Sequence, residues 1–215
     1  MRKIEFADDE IYHVYNRGVE KRDIFEITSD YKRFIHDLYE FNDDQRVLNL
    51  GYRYNCPSKQ KGEPDIILNK SGRIPIVEIL VFTLMPNHYH LLLRQKKPDG
   101  ITRFMHKLGT GYTMYFNKKY QRSGCLFQGP FKAVHVNDEA HLIHLPHYIH
   151  TNPYRGLASI KTLKDLQQYR WSSFSDYLGH RLYRHIITRQ FLLNSYGGQE
   201  GYIRYTKNHI EAKPR

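Results

Sequence analysis

The sequence predicts an α+β fold in which an antiparallel sheet carries helices on one face. Apolar runs that suit strands alternate with segments whose apolar residues recur every three or four positions. The predicted order is strand, helix, strand, strand, helix, strand, and only the turn residues Pro86 and Asn87 separate the two central strands. This is the order of a split β-α-β unit. We therefore expect a ferredoxin-like (RRM-like) fold, followed by a C-terminal helical extension.

The first half of the unit contains a strand, a helix and an insertion. Residues 11–19 are rich in strand-forming side chains and predict the first strand. Residues 29–42 begin with capping residues and continue with apolar residues at helical spacing, so they predict a helix. The segment 51–75 is rich in Lys, Gly, Pro, Ser and Asn, which is typical of an exposed insertion. A short hairpin is expected around residues 66–68.

The second half contains the central hairpin, a long helix and the last strand of the sheet. Residues 76–84 and 88–94 predict two antiparallel strands joined by the Pro-Asn turn. Apolar residues from 101 to 116 fall at helical spacing and predict a helix of about five turns, although Gly109 and Gly111 weaken its middle. Residues 126–136 predict the fourth strand.

Further helices follow the sheet. A helix is expected from residue 137 until Pro153 ends it, because the residue before a proline is pushed out of the helical region. Residues 162–168 and 171–178 predict shorter helices, and the glycine-containing tail 196–215 is expected to be mobile in the free protein. The chain therefore divides into a domain over residues 1–155 and a C-terminal helical extension and tail over residues 156–215.

Composition indicates a nucleic-acid partner. The net charge is +11 with a pI near 9.5, and the chain contains 18 Tyr and 11 Phe. Cations neutralise phosphates while aromatic rings stack on unpaired bases, so this composition favours single-stranded nucleic acid. No apolar run approaches the ~18 to 20 residues of a membrane span, and the start lacks the apolar core of a signal peptide. We expect a cytoplasmic protein with no membrane partner. Cys56 and Cys125 are far apart in sequence, which argues against a disulfide framework or a Cys-based zinc site.

Two histidines open the second strand of the predicted hairpin. Residues at i and i+2 of a strand point to one face, so His88 and His90 share a face and Tyr89 points to the other. Two imidazoles placed in this way can reach one divalent cation. The chain contains 13 His, so the same spacing also arises by chance. Polar rings at the start of an aliphatic strand nevertheless need something to satisfy them, which favours a metal.

The block from Met85 to Leu93 resembles the His-hydrophobic-His core of the HUH single-strand DNA endonucleases, and in particular the REP-associated tyrosine transposases. These are relatives of the single-tyrosine insertion-sequence transposases. Four more blocks resemble the family in its order, at 12–18, 124–133, 148–153 and 171–174. Tyr89 is a departure, because the family more often has an aliphatic residue there.

The resemblance implies an activity and a set of site residues. It implies a transposase that cleaves and rejoins single-stranded DNA beside REP-type hairpins through a 5′-phosphotyrosine, with residues 1–155 as the catalytic domain. By residue match, Tyr148 is the nucleophile and His88, His90 and Asn152 hold the metal. Zinc suits imidazoles, but an oxygen-bearing phosphodiester favours Mg²⁺ or Mn²⁺ as the cofactor. The expected partner is a hairpin-forming single strand, and the protein is expected to be a monomer or a homodimer.

Residue chemistry alone leaves alternatives for the predicted helix. Tyr148 and Asn152 are four residues apart and therefore neighbours on one helix face. Without the resemblance, Tyr148 is better explained as a core tyrosine beside Leu145 and Ile149 than as a nucleophile. His144 lies one turn before Tyr148 and is either a proton acceptor or a surface histidine.

Several basic and amide residues are candidates for DNA contact, and each is also compatible with an ordinary surface or turn role. They are Asn16 and Arg17 on the first strand, Arg103, Lys107, Lys118 and Lys119 on the second helix, and Lys132 on the fourth strand.

Two other functions compete with the transposase. The first is a non-catalytic ferredoxin-like nucleic-acid-binding module, which would carry Phe or Tyr where this chain carries His88 and His90. The second is an HUH relaxase or replication initiator. The late position of Tyr148 and the lack of a helicase region within 215 residues favour the transposase.

Overall fold

Four antiparallel strands form the sheet in the computed structural model, which describes residues 4–45 and 72–212. The strands are β1 (Ile11–Arg17), β2 (Val77–Met85), β3 (His88–Gln95) and β4 (Lys132–His135), in the order β2-β3-β1-β4. Helix α1 (Thr28–Glu40) joins β1 to β2, and α2 (Gly100–Lys119) joins β3 to β4. The predicted ferredoxin-like fold is confirmed. The expected hairpin at 66–68 and most of the expected insertion lie outside the described residues.

Helices α1 and α2 pack on one face of the sheet through aromatic side chains. The ring of Phe34 in α1 lies 5.0 Å from the rings of both Tyr89 in β3 and Tyr112 in α2. Gly111, which weakens the helix by propensity, permits close packing, because a Cβ there would lie 2.5 Å from the ring of Phe41. Long-range packing therefore explains a residue that local propensity disfavours.

The fourth strand is shorter than predicted. We expected residues 126–136 to be extended, but only Lys132–His135 pair with β1. Gly129 has a φ of +143° and Pro130 has no N–H to donate, so the preceding segment cannot continue the ladder. That segment still follows the end of β1, because Gln128 donates its backbone N–H to the carbonyl of Arg17 at 2.9 Å.

The helix after the sheet is also interrupted where we predicted continuity. Helix α3 (Glu139–His150) starts with the carboxylate of Asp138 accepting the backbone N–H of His141 at 2.6 Å. It ends before Thr151, and a short helix α4 (Asn152–Gly156) follows with Pro153 in its first turn. Proline suits that position because its missing N–H needs no helical partner there. Pro153 therefore opens a second helix rather than ending the first.

The C-terminal extension packs on the domain. Its described part, up to residue 212, contains four helices, which are α5 (Leu163–Gln168), α6 (Phe174–Tyr177), α7 (Gln190–Ser195) and α8 (Gln199–Ala212). Most of the tail that we expected to be mobile is α8, which lies against α3 with Tyr202 and Thr206 fully buried. The glycines at 197, 198 and 201 obscured this helix in the sequence.

The extension also covers the outer edge of β2. The backbone N–H of Leu84 donates to the carbonyl of Trp171 at 2.8 Å, and that of Thr188 donates to the carbonyl of Ile79 at 2.9 Å. An edge strand with unpaired backbone groups favours aggregation, so this cover protects the sheet. Among the described strands, β4 forms the other edge.

Candidate active site

The site lies on the face of the sheet opposite α1 and α2. Residues directly opposite each other in an antiparallel ladder point to the same face. His90 lies opposite Tyr15, which in turn lies opposite Lys132 of β4, and His88 lies opposite Arg17. These five side chains therefore share one face, while Tyr89 points to the other side and packs on α1.

Helix α3 crosses this face and presents Tyr148 to the histidines. The Tyr148 ring centroid lies 5.8 Å from that of His90 and 6.3 Å from that of His13. The side chain is 39% exposed, although its neighbours Leu145 and Ile149 are buried. Tyr148 is therefore not a core tyrosine. It is held against the histidines on one side and reaches solvent on the other.

Asn152 joins this group across the break between α3 and α4. Its Nδ2 donates to the carbonyl of Tyr148 at 3.1 Å, so the four-residue spacing keeps the two residues adjacent even though the helix is interrupted. The Asn152 side chain also forms a hydrogen bond with His88. The structure thus brings His88, His90, Tyr148 and Asn152 together.

The Nδ1 atoms of both strand histidines are engaged by neighbouring side chains. Nδ1 of His88 lies 2.6 Å from Oδ1 of Asn87, and Nδ1 of His90 lies 2.8 Å from Nε2 of His13. An amide oxygen only accepts, so Nδ1 of His88 carries a proton and Nε2 keeps the lone pair. For His90, Nε2 is likewise the nitrogen left to face the site.

Burial keeps these rings neutral. It lowers the pKa of His88, with the charge of Arg17 adding to the effect and a hydrogen bond with the Asn152 side chain opposing it. Burial also lowers the pKa of His90 well below its usual value and that of His13 to about 4. A neutral imidazole is the form that binds a metal. Among the described residues, no three His, Cys, Asp or Glu side chains are grouped so that they could hold a metal ion. The donors that lie together here are two neutral imidazoles and the side-chain amide of Asn152. This donor set fits a divalent cation.

Two arginines border the site. Arg17 lies opposite His88, and its buried Nε has no hydrogen-bond partner within the part of the chain that the structure describes. The guanidinium of Arg155 in α4 lies 5.9 Å from the Tyr148 ring centroid, and its Nη2 bonds Nε2 of His209 in α8 at 2.8 Å. Both are positioned to meet a phosphate, and the second is held in place by the C-terminal helix.

The other predicted contact residues lie elsewhere. Asn16 points toward the helix-covered face and donates to the carbonyl of Gly129 at 3.0 Å. Helix α2 lies on that face too, and three of its four predicted contact residues bind within the protein: Arg103 pairs with Asp44, Lys107 donates to the carbonyl of Asp43 and Lys119 pairs with Asp30. Lys118 is exposed. His144 is also exposed, with its ring 6.2 Å from that of His209.

Sequence reasoning missed His13 and Arg155. The signal for His13 was its alternation with Tyr15 and Arg17, which places all three on one strand face. The signal for Arg155 was its position seven residues after Tyr148, about two helical turns on. Neither signal is specific without knowledge of which strands and helices meet.

Comparisons with known proteins show the family and the fold. The family model of the IS200-like transposases matches residues 46–152, which include both histidines, Tyr148 and Asn152. A solved structure of a REP-associated tyrosine transposase bound to a REP hairpin has the same fold, with a TM-score of 0.54, 14% identity, and coverage of 87% of this chain and 90% of that chain. None of the curated proteins matches the chain. The chain belongs to the IS200-like transposase family.

No helix in the ranges 4–45 and 72–212 is long and apolar enough to span a membrane.

Proposed function

We propose that this chain is a tyrosine transposase of the REP-associated type, which nicks and rejoins single-stranded DNA beside a hairpin. The observation that carries the proposal is the position of Tyr148. Its half-exposed ring lies over His90, on the sheet face that also holds His88 and Asn152. A tyrosine that is both solvent-accessible and adjacent to a metal-binding donor set suits nucleophilic attack on a phosphodiester.

In the proposed reaction, the Tyr148 oxygen attacks the phosphorus of one linkage. A new bond forms between phosphorus and the tyrosine oxygen, and the bond from phosphorus to the 3′ oxygen breaks. The Tyr148 hydroxyl loses its proton, and the leaving 3′ oxygen gains one. The product is a 5′-phosphotyrosine with a free 3′ hydroxyl. Because the new ester keeps the bond energy of the cleaved linkage, rejoining needs no nucleotide cofactor.

Neutral His88 and His90 and the amide of Asn152 would hold a divalent cation. When bound, Mg²⁺ or Mn²⁺ would supply positive charge at the non-bridging phosphate oxygens, in addition to the charges of Arg17 and Arg155. Asn87 fixes the ring of His88, and the burial of His90 prevents a competing proton from binding at neutral pH. These residues therefore prepare the site before DNA arrives.

Single-stranded DNA is the substrate that suits the remaining features. Arg17 and the exposed Lys132 share the site face with the partly buried ring of Tyr15, so phosphate contacts lie beside an aromatic ring that can stack on a base. A net charge of +11 favours a polyanion. A duplex hides its bases from such a face. The structurally similar protein bound to a REP hairpin supports a hairpin as the substrate, and the need for accessible bases at this face adds an unpaired flank beside it.

The nucleophile is tested by comparing two tyrosines of similar exposure. Tyr148 is 39% exposed and Tyr205 is 43% exposed. We expect Tyr148→Phe to abolish nicking of a flanked hairpin in Mn²⁺ while its affinity stays within about twofold, because only the attacking oxygen is lost. Tyr205→Phe should nick normally. Full activity of the Tyr148 variant would assign the chemistry to another residue, and full activity in EDTA would remove the metal from the proposal.

The substrate is tested by binding across a salt series. The ligands are a flanked hairpin, the same hairpin without its flank, and a blunt duplex of the same sequence. We expect the flanked hairpin to bind tightest, with affinity falling by about one log unit per log of salt for each phosphate neutralised. Equal affinity for the three ligands would leave nonspecific charge attraction and contradict the proposal.

A further inference from the structure

We infer that His13 is a positioning residue for the proposed metal ligand His90. Its Nε2 accepts a hydrogen bond from the Nδ1–H of His90, which fixes the orientation of the His90 ring and leaves the lone pair on Nε2. This inference rests on the proposed metal site and adds to it a residue outside the three ligands.

His13 and His90 are held in a close, buried contact. The two ring nitrogens are 2.8 Å apart, both side chains are 7% exposed, and the ring planes differ by 22°. His13 lies on β1, which is hydrogen-bonded to β3 on one side and β4 on the other, so its backbone is held at the centre of the sheet. The rings of Tyr15 and Tyr148 lie 5.1 and 6.3 Å from the His13 ring. His13 therefore has little freedom to turn away from His90.

The position of the proton between the two rings decides whether His90 can bind a metal through Nε2. A hydrogen bond between two neutral imidazoles contains one proton, which belongs to one ring or the other. If His13 donates, the single N–H proton of the neutral His90 ring sits on Nε2 and blocks the metal. If His90 donates, Nε2 carries the lone pair and can bind. Metal binding through Nε2 therefore requires His13 as the acceptor, as outer-shell partners commonly orient metal-bound histidines.

A simple packing role for His13 predicts a different outcome. Phenylalanine would fill the same space beside Tyr15 and Tyr148 but cannot accept a hydrogen bond. Glutamine is less ring-like, but its side-chain oxygen can accept. A packing role thus predicts that His13→Phe retains more affinity for the metal than His13→Gln. A positioning role predicts that His13→Gln retains more.

The test measures binding of Mn²⁺ alone, without DNA, by titration calorimetry of the full chain. We expect His13→Phe to weaken binding by about 10- to 100-fold, and His13→Gln to retain more affinity than His13→Phe. His135→Phe, which changes an exposed histidine on β4, should bind as the wild type does. Melting curves without metal establish that each variant is folded.

The outcomes separate the inference from the proposed function. If the wild type fails to bind Mn²⁺, the metal site itself is wrong. If the wild type binds and His13→Phe binds equally well, only the role of His13 is overturned, and equal losses in the Phe and Gln variants would overturn it too.

A measurement on the wild type does not depend on variant folding. Nitrogen-15 NMR of the imidazole rings in the presence of Mg²⁺ should show the proton of His90 on Nδ1. A proton on Nε2 of His90 would overturn the inference.

Discussion

Replacing Tyr202 by Phe should destabilise the protein, although it removes a single oxygen atom. The Tyr202 side chain is fully buried, and its hydroxyl lies 2.6 Å from Nδ1 of His150. His150 is also fully buried, and its other ring nitrogen bonds the hydroxyl of Ser173 at 2.8 Å. The change leaves a buried ring nitrogen without a partner, which costs about 1–3 kcal/mol. His150, which loses its partner, lies two residues after Tyr148 in α3, where α8 packs on this helix.

Urea and thermal unfolding provide the assay. For a protein of this size, 1 kcal/mol corresponds to about 2–4 °C in Tm, so a loss of about 2 kcal/mol predicts a decrease of about 4–8 °C. Tyr205→Phe in the same helix is the matched control, because Tyr205 is 43% exposed and surface changes stay within about 0.5 kcal/mol. Equal stability of the two variants would refute the argument that α8 is anchored through the buried His150 pair.

Three further predictions concern charge. Arg155→Gln should lower the single-turnover nicking rate by about tenfold with less than threefold loss of hairpin affinity, because a charge-assisted contact to the reacting phosphate is removed; an unchanged rate would exclude that contact. Burial lowers the pKa of His147 to about 3, so the unfolded chain binds a proton that the folded chain does not, and stability should fall as pH drops below about 6.5. Between pH 6.5 and 4, the free energy of unfolding of His147→Phe, measured in urea, should fall less steeply with decreasing pH than that of the wild type, by up to about 1.36 kcal/mol per pH unit. An identical slope in the two proteins would show that His147 does not contribute. Lys132→Gln should reduce the slope of log Kd against log salt for hairpin binding by the contribution of about one phosphate contact.

Local patterns predicted most of the sheet and its two helices. The Pro86-Asn87 turn and the two apolar runs beside it define the β2–β3 hairpin without any long-range information. The errors arose at local breaks in the backbone and where distant contacts decide the structure. Gly129 and Pro130 delay the start of β4 to Lys132, and Thr151 separates α3 from α4. Helix α8 follows glycines that indicate a loop, yet it is stabilised by burying Tyr202 against α3.

The candidate site was predictable to the extent that its residues are close in sequence. His88 and His90 share a strand face by their spacing alone, and Tyr148 and Asn152 stay adjacent through a four-residue interval. His13 is 77 residues from His90, so the pairing of β1 with β3 had to be known before its contact could be inferred. The same limit applies to the contact of Arg155 with His209, which depends on how α8 packs.

The covalent intermediate identifies the nucleophile of the proposed reaction. The wild type is incubated with a flanked hairpin and Mn²⁺, denatured and digested with a protease, and the DNA-linked peptide is sequenced by mass spectrometry. We expect the 5′-phosphate to be attached to Tyr148. With 18 Tyr in the chain, attachment to any other one would contradict the assignment, as would nicking that proceeds with no protein–DNA adduct.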